Sequence, residues 1–300
     1  MVRFSLDKSK SGIEVSKHLY GLFFEDINQA ADGGLNAEMV INNSFEFEYF
    51  AYDNFNAASP VQLRKQKAAY WDISGAGPHY ISESGGIAPT NPSYLVLCVG
   101  GIYRLENPGF AVGGWNYYGM ALDKGETYNF SMFVKKMGFT GKAEVYVARS
   151  TLTAVAEIPL SGGDGSWEKV RCSFKALATE MGRLVIVFKG NGHIGIDCVS
   201  LLPSSVWGDP DKYRNGKLSP RIVKALKDCH PSFFRFPGGC VVEGDETFDN
   251  FYKWRNTVGP LETRKQIANT WGYMQSYGVG FYEYFALCED LKMTPLPVLH

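Results

Sequence analysis

One change of texture restricts this chain more than anything else in it: a helix–strand rhythm is interrupted by a long Gly-rich stretch with period two. Residues 18–27, His-Leu-Tyr-Gly-Leu-Phe-Phe-Glu-Asp-Ile, form an apolar run that ends in two carboxylates. Such a run predicts a strand buried on both faces, as in a parallel sheet. Asp32-Gly33-Gly34 then predicts a helix to about residue 43, with Asp32 as its N-cap. From about residue 55 the pattern switches. Glycine pairs at Gly85-Gly86, Gly100-Gly101, Gly113-Gly114 and Gly162-Gly163 separate short alternating runs. Tyr128, Phe130, Met132 and Val134 point one way; Val170, Cys172 and Phe174 do the same, with Lys169, Arg171, Ser173 and Lys175 opposite. Alternation means one buried and one wet face, so this region predicts antiparallel strands in a β-sandwich. The run Ile194–Leu201 changes phase part-way, which predicts a bulge.

After Pro203 the rhythm returns. Ser219-Pro220 reads as an N-cap with Pro at N1, and Leu218, Ile222, Val223, Ala225, Leu226 and Cys229 share one helical face. Ser232–Pro237 is the next predicted strand, followed by Gly238-Gly239. Phe281, Tyr284, Phe285, Cys288 and Leu291 mark another amphipathic helix, and Thr294–Leu299 a third buried strand. The expected fold class is therefore α/β plus all-β: a partial (β/α)8 TIM barrel interrupted by an inserted antiparallel β-sandwich. The expected segments are 1–54 (first barrel strand and helix), 55–205 (insertion) and 206–300 (second and third strands). A complete barrel needs eight strands and about 250 residues of its own. Only three such strands are legible, so the expectation is the beginning of a barrel.

Composition narrows the partners. Thirty Lys+Arg against 31 Asp+Glu leave a net charge of -1, too flat a balance to attract a phosphate backbone, and nucleic acid is not an expected partner. No apolar run reaches the roughly 18 residues of a membrane span, and no membrane partner is expected. The N-terminus has no apolar core of a signal peptide, so localisation stays open between cytoplasmic and secreted with a leader removed. Cysteines 98, 172, 198, 229, 240 and 288 are scattered, which predicts reduced, mostly buried thiols. No phosphate loop, Gly-x-Gly-x-x-Gly, Gly-x-Ser-x-Gly or metal-ligand cluster is present, and neither cofactor nor metal is expected.

The chemistry that remains sits at predicted strand ends, where α/β barrels build their sites. These ends present Glu25-Asp26, Gly238-Gly239-Cys240 and His300. A carboxylate closing an apolar strand is either an ion pair or cap, or it faces a ligand's hydroxyl or proton. The glycine pair either lets backbone approach a ligand or makes a turn. Trp71, Trp115, Tyr117, Tyr118 and Trp167 offer a sugar-stacking face only if exposed; otherwise they are core.

These residues carry a resemblance. Leu19–Asn28, Ala31–Leu35 and Asn43–Glu46 are similar to the opening of the glycoside hydrolase family 51 α-L-arabinofuranosidases. Phe234–Cys240, Trp254–Pro260, Trp271–Tyr273, Tyr277–Gly280 and Leu287–Leu291 continue the pattern. The resemblance implies retaining hydrolysis of terminal arabinofuranosyl groups from arabinoxylan, arabinan and their oligosaccharides, self-association of copies, and a carbohydrate-binding-like character for the inserted sandwich. It implies Glu25 as a carboxylate bonding arabinose hydroxyls, Cys240 near the sugar and Trp271 as an aromatic wall. The family's acid/base and nucleophile glutamates follow the fourth and seventh barrel strands. Neither strand is legible here, so no catalytic glutamate is assigned, both are expected beyond His300, and the chain alone is expected to be inactive. Two alternatives stand beside this reading: a non-catalytic carbohydrate-binding module, or a related glycosidase of another pentose or linkage specificity.

Overall fold

The computed structural model describes residues 2–5, 7, 9, 12–49, 64, 65, 67–110, 119–148, 154–244 and 250–300. In chain order the strands are β1 (Leu22–Phe23), β2 (Glu48–Tyr49), β3 (Arg64–Lys65), β4 (Asp72–Gly75), β5 (His79–Ser82), β6 (Tyr94–Asn107), β7 (Met120–Leu122) and β8 (Thr127–Ala148). They continue as β9 (Ala156–Ile158), β10 (Trp167–Lys175), β11 (Glu180–Pro203), β12 (Phe233–Phe236), β13 (Ile267–Ala268), β14 (Met274–Gln275) and β15 (Thr294–Pro297). The helices are α1 (Pro220–Asp228), α2 (Cys240–Glu243) and α3 (Phe281–Leu291).

Two sheets organise the chain. The first is parallel, in the order β1-β12-β15, with Leu22 opposite Phe234 and Arg235 opposite Leu296. Helix α3 lies on it: the Tyr284 ring is 4.9 Å from Phe236, and Leu35, Leu218, Val223, Phe281 and Leu287 fill the same core. Strand β12, in the middle, buries Phe234 and Phe236. Its neighbours do not behave as the apolar runs predict. Phe23 on β1 and Leu296 on β15 are 59% and 50% exposed, because they lie with Arg235 on the face of the sheet opposite α3.

The second sheet is antiparallel, with eight strands among the described residues and β10-β8-β11-β6-β4 as its spine. Its three long strands all turn one corner. Gly101, Gly190 and Gly141 occupy a single rung there, and a Cβ on Gly190 would lie 2.2 Å from the Thr140 carbonyl. Side chains at Gly190 and Gly141 would collide with backbone across the rung, while Gly101 has open space but a φ of 123° that favours glycine. Beyond the corner the sheet folds back on itself. Leu97, Met132, Val134 and Ile196 from one half pack in one core with Leu105, Val145, Ile186 and Phe188 from the other. The phase change in Ile194–Leu201 is a real irregularity, with register shifts after His193 and after Asp197.

The helix expected from Asp32 to about residue 43 does not form. A single five-residue turn, Ala31–Leu35, is broken at Gly33 (φ 89°). The donors that a helix would have used are taken by neighbouring backbone: Ala37 N–H bonds to the Lys217 carbonyl at 2.8 Å and Met39 N–H to the Leu201 carbonyl at 3.1 Å. This segment thus joins the two sheets. Ser219 does take the N-cap position of α1 in extended geometry, but its side chain makes no cap hydrogen bond. The cysteines are all free, as expected, yet only Cys288 is fully buried, while Cys229 and Cys240 are exposed. Trp71 is core, its indole N–H donating to the Asn42 carbonyl at 2.9 Å. Trp167 is half-buried against Tyr94. Trp115, Tyr117 and Tyr118 lie outside the described residues.

Candidate functional site

Backbone pairing along the parallel sheet continues past the end of β1. Phe24 N–H bonds to the Arg235 carbonyl at 2.8 Å, and Asp26 N–H reaches the Pro237 carbonyl at 3.3 Å. Glu25 and Asp26 therefore remain extended and point to opposite sides. Their environments differ accordingly.

Glu25 turns to the loop that follows β12. Its Oε1 accepts N–H bonds from Gly239 (3.2 Å) and Val241 (3.0 Å), which bracket Cys240. Among the described residues Oε2 accepts no hydrogen bond, so the half-buried carboxylate keeps one free acceptor. The approach depends on Gly238, which follows the cis Phe236–Pro237 peptide with φ 145°. A Cβ there would stand 2.4 Å from Glu25 Cγ. The Arg235 guanidinium stacks 4.6 Å above the Phe23 ring on the same side of the sheet and lies beside Gly239. At the third strand end the His300 ring sits 4.4 Å from Phe251.

Asp26 is buried. Its Oδ1 accepts from Ala31 N–H (3.0 Å) and the Tyr273 hydroxyl (2.9 Å). Burial first, and then the negative charge of Asp32, push its pKa up to about 7, well above the ordinary carboxylate range. Asp32 is itself buried and accepts from Ser276 N–H (2.7 Å), Ser276 Oγ (2.8 Å) and Asn36 Nδ2 (2.9 Å). Asn269 completes the shell: its Nδ2 donates to the Asp26 carbonyl at 3.1 Å, and its Oδ1 accepts from Trp271 N–H at 2.9 Å. Trp271, 41% exposed, is thereby held on a loop anchored to the residue next to Glu25.

Of the three residues singled out in the sequence, Glu25 bonds the amides on either side of Cys240, and Trp271 is tied through Asn269 to the main-chain carbonyl of Asp26, the residue after Glu25. Sequence reasoning missed Asp32 as a loop-fastening carboxylate, and it missed Asn269, Tyr273 and Ser276 altogether. The signal for Asp32 was present but read as a helix cap. A short polar side chain before Gly-Gly serves a loop equally well.

The C-terminal stretch 225–300 matches the family model described as the α-L-arabinofuranosidase 1 domain. The whole chain is similar to an extracellular exo-α-L-arabinofuranosidase of Streptomyces chartreusis, 34% identical over 98% of this chain and 34% of that protein. A solved structure of an arabinose-bound GH51 α-L-arabinofuranosidase superposes with a TM-score of 0.76 at 25% identity, covering 93% of this chain and 43% of the other. Together these matches support the N-terminal part of a family 51 α-L-arabinofuranosidase. A further member, α-L-arabinofuranosidase 1 of Arabidopsis thaliana, is 30% identical over 100% of this chain and 43% of its own length. The chain thus spans between a third and a half of the relatives it matches. Across that span the shared architecture includes both the parallel strands and the folded antiparallel sheet between them.

Proposed function

We propose that this protein is a retaining α-L-arabinofuranosidase that removes terminal α-L-arabinofuranosyl groups from arabinoxylan- and arabinan-type hemicellulose and its oligosaccharides, with Glu25, Cys240 and Trp271 contacting the sugar. The observation that carries the reading is Glu25 just past β1, fixed by the Gly239 and Val241 amides, with Oε2 unbonded among the described residues. A pre-oriented carboxylate oxygen accepts hydrogen bonds from vicinal hydroxyls with charge assistance. Trp271, 41% exposed on the loop tied to Asp26, supplies an apolar face. The names of the relatives agree with that chemistry.

Retaining hydrolysis needs two further carboxyls about 5–5.5 Å apart, one as acid/base and one as nucleophile. Under this proposal they follow the fourth and seventh strands of the barrel, and no catalytic glutamate is assigned among the described residues. The same proposal divides it into 1–54, 55–205 and 206–300: β1, β12 and β15 are successive strands of a (β/α)8 barrel, and 55–205 is an inserted carbohydrate-binding-like β-sandwich. Self-association of copies belongs to the reading too, and light scattering tests it.

Glu25→Gln in the catalytically complete protein tests the central claim. The glutamine oxygen still accepts from the Gly239 and Val241 amides, while its NH2 replaces the free acceptor. Loss of a charge-assisted bond worth about 1.5–3 kcal/mol lowers kcat/KM on 4-nitrophenyl α-L-arabinofuranoside about 10- to 150-fold. An unchanged kcat/KM removes Glu25 from the sugar site.

A further inference from the structure

A second concavity, about 590 Å³, lies between the outer face of β8, β10 and β11 and the segments 206–217 and 261–278. Its volume is in the range of small-molecule sites. Glu25, Cys240 and Trp271 do not line it, and its chemistry differs from theirs.

Four cations face one another across it. Lys169 and Arg171 rise from the wet face of β10; Arg214 and Lys217 come from the connector opposite. None of the four takes part in an ion pair among the described residues. Lys217 donates to the Tyr213 carbonyl and Lys169 lies 5.0 Å above the Phe133 ring, whereas both arginine forks are open. The lining also contains two acids, Glu38 and Glu262. Glu38 is committed to the fold: it accepts from Met39 N–H (2.9 Å), Val40 N–H (3.0 Å), Leu201 N–H (2.9 Å) and Ser200 Oγ (2.6 Å). Burial also raises it to about 7, which reduces its charge near neutral pH. A surplus of positive charge in a recess selects an anion, and open guanidinium forks match a carboxylate bidentately.

Charge is only half of the lining. Asn91 is 3% exposed and its Oδ1 has no partner; Gln266 Oε1 is likewise buried and unpartnered. Each of these side chains is pinned through its NH2 group, Asn91 to Cys198 Sγ at 3.3 Å and Gln266 to Ser44 Oγ at 2.6 Å. The free atoms are therefore acceptors that await donors, and an unmet buried acceptor is costly. A bare anion supplies no such donors. A polyhydroxylated anion supplies both complements.

We propose that this cleft binds an oligosaccharide carrying a uronic acid, with Arg171 and Arg214 on its carboxylate and Asn91 and Gln266 accepting from its hydroxyls. The site is separate from the arabinose contacts and does not depend on that reading. It gives the protein a means of recognising acidic, branched hemicellulose away from the scissile bond.

Calorimetric titration of the protein with glucuronosyl-xylotriose, and with the same oligosaccharide after reduction of its carboxyl to an alcohol, tests the assignment. The acid form binds at least tenfold tighter than the reduced form. Arg171→Ala and Arg214→Ala each weaken it about tenfold without moving the melting temperature, since both side chains are exposed. Sulfate at the same concentration competes poorly. Equal affinity for acid and reduced forms, no binding of either, or indifference to both substitutions overturns the proposal, and sulfate binding as tight as the uronate overturns its saccharide part. Unaltered cleavage of 4-nitrophenyl α-L-arabinofuranoside by the Arg171→Ala protein, alongside lost uronate binding, separates this site from the hydrolytic one.

Discussion

The pair Arg264–Glu283 is the interaction whose removal the structure prices most directly. Both side chains are 0% exposed, and the guanidinium reaches the carboxylate twice, at 2.8 and 3.1 Å. Arg264 also donates to the carbonyls of Gly259 (3.1 Å) and Tyr277 (2.7 Å), while Glu283 accepts from Gly216 (3.1 Å) and Gly280 (2.9 Å) N–H groups. One buried pair thus ties the 254–264 loop and the 206–217 connector to the first turn of α3. Arg264→Met fills most of the volume but leaves a buried, uncompensated carboxylate, at about 3–5 kcal/mol, and two orphaned carbonyls, at about 1 kcal/mol each. The total of about 5–7 kcal/mol rivals the whole stability of a typical domain. Adding Glu283→Gln neutralises the stranded charge and keeps one acceptor oxygen, for Gly216 or Gly280 but not both, so the double variant is more stable than Arg264→Met alone. Urea unfolding followed by fluorescence gives the four midpoints of the cycle. If the two single losses simply add in the double variant, the side chains are uncoupled and the argument fails.

Three other outcomes follow from the site. Gly238→Ala introduces a Cβ 2.4 Å from Glu25 Cγ at a backbone φ of 145°; about 1–3 kcal/mol of strain lowers the melting temperature, and kcat/KM falls with it because Glu25 is displaced. Melting at wild-type temperature would show the loop accommodates the methyl. Asp26, raised toward about 7 in the folded protein, contributes stability that is full below its unfolded range near 3.8 and is lost as pH rises to 7. Asp26→Asn therefore gains on the wild type by about 1–4 kcal/mol between pH 4 and pH 8, and parallel pH–stability curves for the two proteins would contradict this. Trp271→Ala, at an exposed position, raises KM for aryl arabinofuranosides several-fold with the melting temperature intact; a KM equal to wild type would place the ring away from the sugar.

Much of the parallel part was legible because its signals are local. The apolar face of α3, the Pro at the start of α1 and the phenylalanine-rich strand β12 all appear where the sequence puts them. What failed was the burial of the outer strands, since an apolar run reports readiness to be covered and says nothing of whether a neighbour is present. The long strands of the antiparallel sheet failed for a different reason. Gly100-Gly101 reads as a strand break, yet β6 continues through it and bends there. Whether a glycine pair ends a strand or bends it is decided by the partners at that rung, Gly190 and Gly141, which stand 40 residues and more away.

The site divides along the same line. Glu25 was legible because an acid that closes an apolar strand conflicts locally with its surroundings, and such conflicts mark function or fastening. Its neighbour Asp26 carries the same signal and has the other destiny: extended backbone sends it to the opposite side, where Tyr273 and Ala31 bind it and Asp32 repels it. The two consecutive carboxylates thus part: Glu25 keeps one oxygen unbonded among the described residues, while Asp26 is a rivet for the loops around it. The sequence shows that two acids are present, and only the path of the chain past β1 assigns the roles. The rivet matters to that loop: Asn269 joins the Asp26 main-chain carbonyl to the Trp271 amide and the Tyr273 hydroxyl joins the same loop to the Asp26 carboxylate, so weakening the buried acid loosens the loop that carries the proposed aromatic wall. Asp26→Asn keeps an oxygen for the Ala31 and Tyr273 donors, so it changes the pH response without disturbing that wall, whereas Asp26→Ala removes both bonds and disturbs it.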